Sequence, residues 1–95
     1  MSDVVTEAVT QLNAKIDGGF NGSAKFVITD EGSVIIDQNG ARAGDEETDV
    51  TLTASAETFK GILDGSQNAT AAFMTGKLKV DGDMGAAMRL AGALG

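Results

Sequence analysis

The chain has 95 residues, 42% hydrophobic and 22% charged, and a chain this short forms one domain, residues 1–95, hiding only about two-thirds of its unfolded surface. Fourteen acidic against seven basic residues give a formal charge of −7, which excludes nucleic acid as a partner and limits contact with an anionic membrane to a transient one. Cysteine and histidine are absent, so disulfides, thiolate nucleophiles, zinc fingers and the usual general base are excluded as well.

No stretch reaches eighteen apolar residues, and "MSDVVTEAV" carries acids where a secretory signal carries basic residues, so a cytoplasmic protein is expected. Asp3 is predicted to cap a first helix in which Val5, Val9, Leu12 and Ile16 recur at helical spacing, with Gly18-Gly19 as its left-handed stop. The period then changes to two. Ala24, Phe26 and Ile28 share one side of a strand, "DEGS" turns the chain, and "SVIID" returns as a second strand. "DQNGARAGDEETD" reads as a turn followed by an acidic, solvated stretch, after which Val50, Leu52 and Ala54 alternate with threonines in a third strand.

Ser55 is placed to cap a helix through "AETFKGILD", where Phe59 and Leu63 stand four apart and Gly65 follows the end. A shorter helix, "ATAAFMT", groups Ala69, Ala72 and Phe73 and stops at Gly76. "KLKV" reads as the last strand and "DGD" as a turn, with Asp83 capping a terminal helix. Strands grouped first and helices mostly after them predict an α+β fold, with helices packed over one face of a largely antiparallel sheet.

Chemistry is hard to place on this chain. None of the five serines sits in a nucleophile elbow or has a histidine to activate it, so a non-catalytic protein is expected. The run Asp45, Glu46, Glu47, Asp49 lacks the alternating ligand spacing and central glycine of a calcium loop, and Asp81-Gly82-Asp83 is explained by a turn and a cap. Neither a metal nor another cofactor is therefore expected.

The terminal segment is the informative one. On a helical wheel Met84, Ala87, Met88, Leu90, Ala91 and Leu94 cover close to half the circumference, Ala86 and Ala93 widen the arc, and Gly85, Arg89 and Gly92 are left for water. One reading is that this stripe completes the core. The other is that adaptable methionines on a broad apolar face form the lid of a cavity.

"SAETFKGILDGSQNATAAFMTGKLKVDGDMGAAMRL", residues 55–90, resembles the signature of the sterol carrier protein 2 (SCP2) domain family. The likeness is carried by Ala72, Phe73, Gly76, Lys77, Leu78, Lys79, Gly82, Met84, Ala87, Met88 and Leu90, without a gap, and the elements before them match in order. It implies a five-stranded sheet with helices over one face and a hydrophobic tunnel for fatty acids, acyl-CoA, sterols or phospholipids. Four strands are legible, and the fifth is expected from residues 40–45 or from a split strand. By position, Phe73, Met74, Leu78, Val80, Met84, Met88 and Leu90 are candidate ligand-binding residues, and strand alternation adds Phe26, Ile28 and Leu52.

The chain also departs from the family's animal members. It ends in Ala93-Leu94-Gly95 where a peroxisomal address would read S-K-L, and its first helix sets Asp3, Glu7 and Asp17 against Lys15, unlike a basic membrane-docking helix. A soluble carrier of apolar lipid is the resulting expectation. Two alternatives remain: an interaction module in which the C-terminal helix pairs with a second copy, and an accessory factor holding an isoprenoid quinone precursor for biosynthetic enzymes.

Overall fold

A computed structural model of the chain describes residues 3–16 and 20–94. Helix α1 (Asp3–Lys15) comes first, followed by β1 (Ala24–Ile28), β2 (Gly32–Asp37), β3 (Gly40–Ala43) and β4 (Val50–Ala54). Helices α2 (Ala56–Asp64) and α3 (Ala69–Met74), strand β5 (Leu78–Gly82) and helix α4 (Met84–Leu94) complete it. The five strands form one sheet in the order β3-β2-β1-β4-β5. Only the central β1–β4 pair is parallel; β1–β2, β2–β3 and β4–β5 are antiparallel.

The fifth strand is β3, within residues 40–45 where the family likeness allowed for it, and inside the stretch that patterning alone reads as turn and solvated loop. Its alternation is hard to see because Ala41 and Ala43, the residues on the covered face, are small. Asp37 and Gly40 close the β2–β3 hairpin around Gln38-Asn39, and the Asp37 carboxylate accepts the Asn39 N–H at 2.9 Å. The acidic residues beyond β3 fold back over the outer face of the sheet. There Lys25 pairs with Asp45 at 2.8 Å, and Arg42 bridges Asp37 and Glu46 at 2.7 and 3.0 Å. Among the described residues Ile35 is the outward-facing strand side chain that is fully buried, and it lies beneath this segment with Gly44 packed against it.

On the other face, alternate residues of β1 and β4 are buried and meet the helices. Phe59 of α2 packs on Phe26 of β1 with ring centroids 4.3 Å apart, and Leu12, Ile62 and Leu90 bring α1, α2 and α4 into the same core. Helix α1 lies on β2 and β3, α4 lies on β4 and β5, and α3 leans on β5 and α4.

Ser55 caps α2 by accepting the Thr58 N–H, and Gly65 ends that helix at φ +86°. Three local readings change. Asp3 is already helical and does not precede the helix, and the Gly18-Gly19 stop lies outside the described residues. Asp81 and Gly82, read as a turn, extend β5: at φ +110° a side chain on Gly82 would run into the Asp49 carbonyl, so glycine lets the strand stay paired to its end.

Candidate functional site

Helix α4 starts because the Asp83 carboxylate accepts the N–H groups of Gly85 and Ala86, at 2.8 and 3.2 Å. It then divides its apolar arc between two surroundings. Ala86, Ala87, Leu90 and Leu94 are buried in the core, whereas Met84 and Met88 remain 45% and 59% exposed on the flank facing α3. The core reading of the stripe therefore holds for one side of the helix, and the other side borders α3 with its methionines partly in water. Helix α3 faces that flank; Asn68 caps it by accepting the Ala71 N–H at 3.1 Å, and its Phe73 is 40% exposed.

Between these helices lies an apolar cleft floored by Leu52, Leu78 and Val80 and walled by Ala69, Thr70 and Phe73 of α3 and by Met84, Ala87, Met88 and Ala91 of α4. The floor follows from the pairing of strands, since Leu52 sits directly across from Val80, and Ala54 from Leu78. The space left is about 30 Å³, room for a water molecule and not for a hydrocarbon chain. The open tunnel implied by the family likeness is thus closed here. Physically this is the expected state, because a dry void of roughly 300 Å³ would cost on the order of 7 kcal/mol at about 24 cal/mol per Å³, and methionine side chains collapse into such gaps easily.

A wider trough of about 580 Å³ runs around the free edge of β5, lined by Thr51, Thr53, Lys79 and Asp81 as well as by Phe73, Leu78 and Val80. It is open to water and partly charged, so by itself it offers no apolar shelter. Its significance is topological: Phe73, Leu78 and Val80 line both spaces. Of the three, Phe73 is the most exposed, at 40%.

Six of the ten residues singled out from sequence, Leu52, Phe73, Leu78, Val80, Met84 and Met88, are brought together on the cleft. The other four are elsewhere. Phe26, Ile28 and Leu90 are buried within the core, and Met74, 79% exposed, points away from the cleft lining. Alternation and helical spacing identify the apolar side of an element but not which neighbour covers it. Ala69, Thr70, Ala87 and Ala91 also line the cleft; small residues facing it on both helices were the signal available for them.

A five-stranded sheet with helices on one face and a narrow apolar cleft under the last of them is the class of fold the chain presents. The sequence profile of the SCP-2 sterol transfer family matches residues 6–95, and the chain belongs to that family. The peroxisomal multifunctional enzyme A of Dictyostelium discoideum is 50% identical over 52 residues, 55% of this chain and 12% of that protein. A fatty acid-binding protein of Yarrowia lipolytica is 32% identical over 87 residues, covering 92% of this chain and 65% of that one. The chain therefore spans from about a tenth to just under two-thirds of the length of these two relatives. Among solved structures, sterol carrier protein 2 of Aedes aegypti in complex with palmitate has the same fold, with a TM-score of 0.79 at 20% identity over 99% of this chain and 96% of that one.

Proposed function

We propose that the protein is a non-catalytic carrier that takes one apolar lipid tail, of the fatty-acyl class, between α3, α4 and β5. The observation that carries this reading is the pairing of a nearly closed apolar cleft with side chains that are adaptable and only half buried around its rim. Phe73, Met84 and Met88 leave apolar surface in water that a ligand would cover, and moving them disturbs none of the fully buried core. The fatty acid-binding relative and the palmitate complex support the ligand class.

In this reading the tail passes Phe73 from the β5 trough, and Met84 and Met88 turn outward to make room. Burying a sixteen-carbon chain gains up to ~12 kcal/mol at ~0.8 per methylene. Association and ordering cost ~4 kcal/mol or more, and reopening the closed cleft costs a further share. Micromolar affinity with little headgroup selectivity is expected, since the lining offers a single polar side chain, Thr70.

Displacement of a fluorescent fatty acid by palmitate tests the proposal, together with native mass spectrometry for co-purified lipid. Saturable uptake that Met88→Lys weakens and Arg89→Lys leaves unchanged is the expected result. No uptake at tens of micromolar and no lipid adduct would remove the carrier reading, while equal effects of the two substitutions would remove α4 as the lid. The pairing of two copies through Leu90 and Leu94 finds no surface to use, because both side chains are turned into the chain's own core.

A further inference from the structure

The outer edge of β5 offers unpaired backbone, and the neighbouring strands show which groups it presents. Thr29 donates its N–H to the Ala54 carbonyl at 3.0 Å, so Ala54 turns its backbone groups toward β1, and Thr53 and Thr51 turn theirs toward β5. Their register partners Lys79 and Asp81 therefore face β4, as Asp83 does in donating to the Asp49 carbonyl at 3.0 Å. The N–H and carbonyl groups of Leu78, Val80 and Gly82 are left on the outside. No hydrogen bond reaches them among the described residues, and the trough of about 580 Å³ runs beside them.

The side chains of this edge are complementary to themselves. Lys79 and Asp81 are exposed, stand two apart on the face away from the cleft, and belong to no ion pair among the described residues. Consider two β5 strands, antiparallel, with a two-fold axis at Val80. Val80 then exchanges both hydrogen bonds with its copy, Leu78 meets Gly82, and each Lys79 stands directly across from an Asp81. These are non-hydrogen-bonded positions, where Cα atoms approach to about 4.5 Å and opposite charges stabilise the pair. Moving the axis one residue either way sets Lys79 on Lys79 or Asp81 on Asp81. Charges that repel a strand in those registers admit it in this one.

We propose that β5 pairs with β5 of a second copy, antiparallel about Val80, and joins two five-stranded sheets into one. The edge is open at the right places. Helix α3 reaches β5 through residues 75–77 at the Leu78 end, and the two-fold puts the second α3 at the other end. The assembly stops at two chains, because pairing uses up the β5 edge and the Asn13 side chain blocks the β3 edge at Ala41. An extended segment of another protein is the rival occupant, and the match of Lys79 and Asp81 to their own copies favours the second chain. A contact of five residues a side, about 17 Å long, falls short of the ~1,200 Å² of stable interfaces. Association in the range of about 0.1 to 1 mM is therefore expected. The pairing does not rest on the carrier reading.

The test is sedimentation of the full chain from about 10 µM to about 1 mM, with amide hydrogen exchange at both ends of that range. At about 0.15 M salt charges more than about 8 Å apart are screened, so the local pairs outweigh the formal charge of −7 spread over each chain. A reversible dimer is expected. The Val80 amide should exchange more slowly as concentration rises, while those of Lys79 and Asp81, which already face β4, stay unchanged. Lys79→Asp or Asp81→Lys should each weaken association about tenfold, and an equal mixture of the two variant chains should restore it. Lys60→Asp, on the exposed side of α2, alters net charge as Lys79→Asp does and should leave pairing intact.

A chain that stays single at about 1 mM overturns the proposal and leaves the edge to another occupant. So does a dimer in which the Val80 amide is unaffected, a mixture that fails to restore pairing, an equal loss with Lys60→Asp, or growth beyond two chains. Fatty-acid uptake at low micromolar protein, where the chain is single, tests the carrier reading separately, and its failure leaves the pairing standing.

Discussion

The two edges of the sheet are finished in opposite ways. At the β3 edge, Asn13 of α1 acts as a substitute strand: its side-chain amide donates to the Ala41 carbonyl at 3.0 Å and accepts the Ala41 N–H at 2.8 Å. Gly40 is what allows the approach, because at φ +103° any side chain there would collide with the Asn13 amide oxygen. At the β5 edge no such seal exists among the described residues. Helix α3 has six residues, and half-exposed Phe73, Met84 and Met88 stand where α1 sets fully buried Leu12 and Val5. An edge strand left open is an aggregation hazard that proteins usually suppress. Here short length and the charges of Lys79 and Asp81 are the devices that guard it, and the proposed carrier role needs the half-exposed side chains around it to give way.

Truncation at the sealed edge should be the most damaging change. Leu12→Ala is expected to lower unfolding free energy by about 2–5 kcal/mol, whereas Met88→Ala should cost less than about 0.5; denaturant titration of both variants measures the contrast. Comparable losses would mean that the α4 flank is as firmly packed as the core. Next in size is ligand protection. Palmitate at roughly a hundred times its dissociation constant should add about 2.7 kcal/mol, with amide exchange slowed in α3, β5 and the start of α4 and unchanged in α1 and β3. Protection spread evenly over the sheet would dissolve the distinction between the two edges.

Asn13→Ala should cost about 1–3 kcal/mol by leaving the Ala41 N–H and carbonyl without their partner. Its sharper signature is faster exchange of the Ala41 amide at unchanged lipid uptake. The smallest effect concerns acid. Hydrogen bonds from Arg42 and the Asn39 N–H hold the Asp37 carboxyl below its ordinary range. A depressed pKa contributes stability above the unfolded value near 3.8, lost as pH falls through the lower folded value. The Arg42–Asp37 pair is largely solvent-facing, so the contribution is small. Arg42→Gln should flatten the decline in melting temperature between about pH 4 and 2 without touching the cleft edge.

Much of this was readable along the chain because it depends on neighbours in sequence. Ser55 and Asp83 cap the helices they precede, and the alternation of Val50, Leu52 and Ala54 appears in the structure as a buried face. What was not readable depends on distant partners. Strand β3 has too little apolar contrast to show a period, and its existence rests on pairing with β2 and on the Asn13 seal from α1. The buried position of Ile35 depends on the segment beyond β3 folding over the outer face.

The candidate site divides in the same way. Sequence alone determined that the last helix has an apolar arc broader than one contact surface, that methionines lie within it, and that residues 55–90 carry a family signature. Only the tertiary structure decided that Leu90 and Leu94 belong to the core while Met84 and Met88 border the cleft, and that Phe26, packed on Phe59 of α2, and Ile28 lie in the core away from the cleft lining. The physical reason is that side-chain periodicity specifies direction relative to one element's own axis. What stands in that direction, and how much space remains before it, is decided by the packing of all the other elements against it.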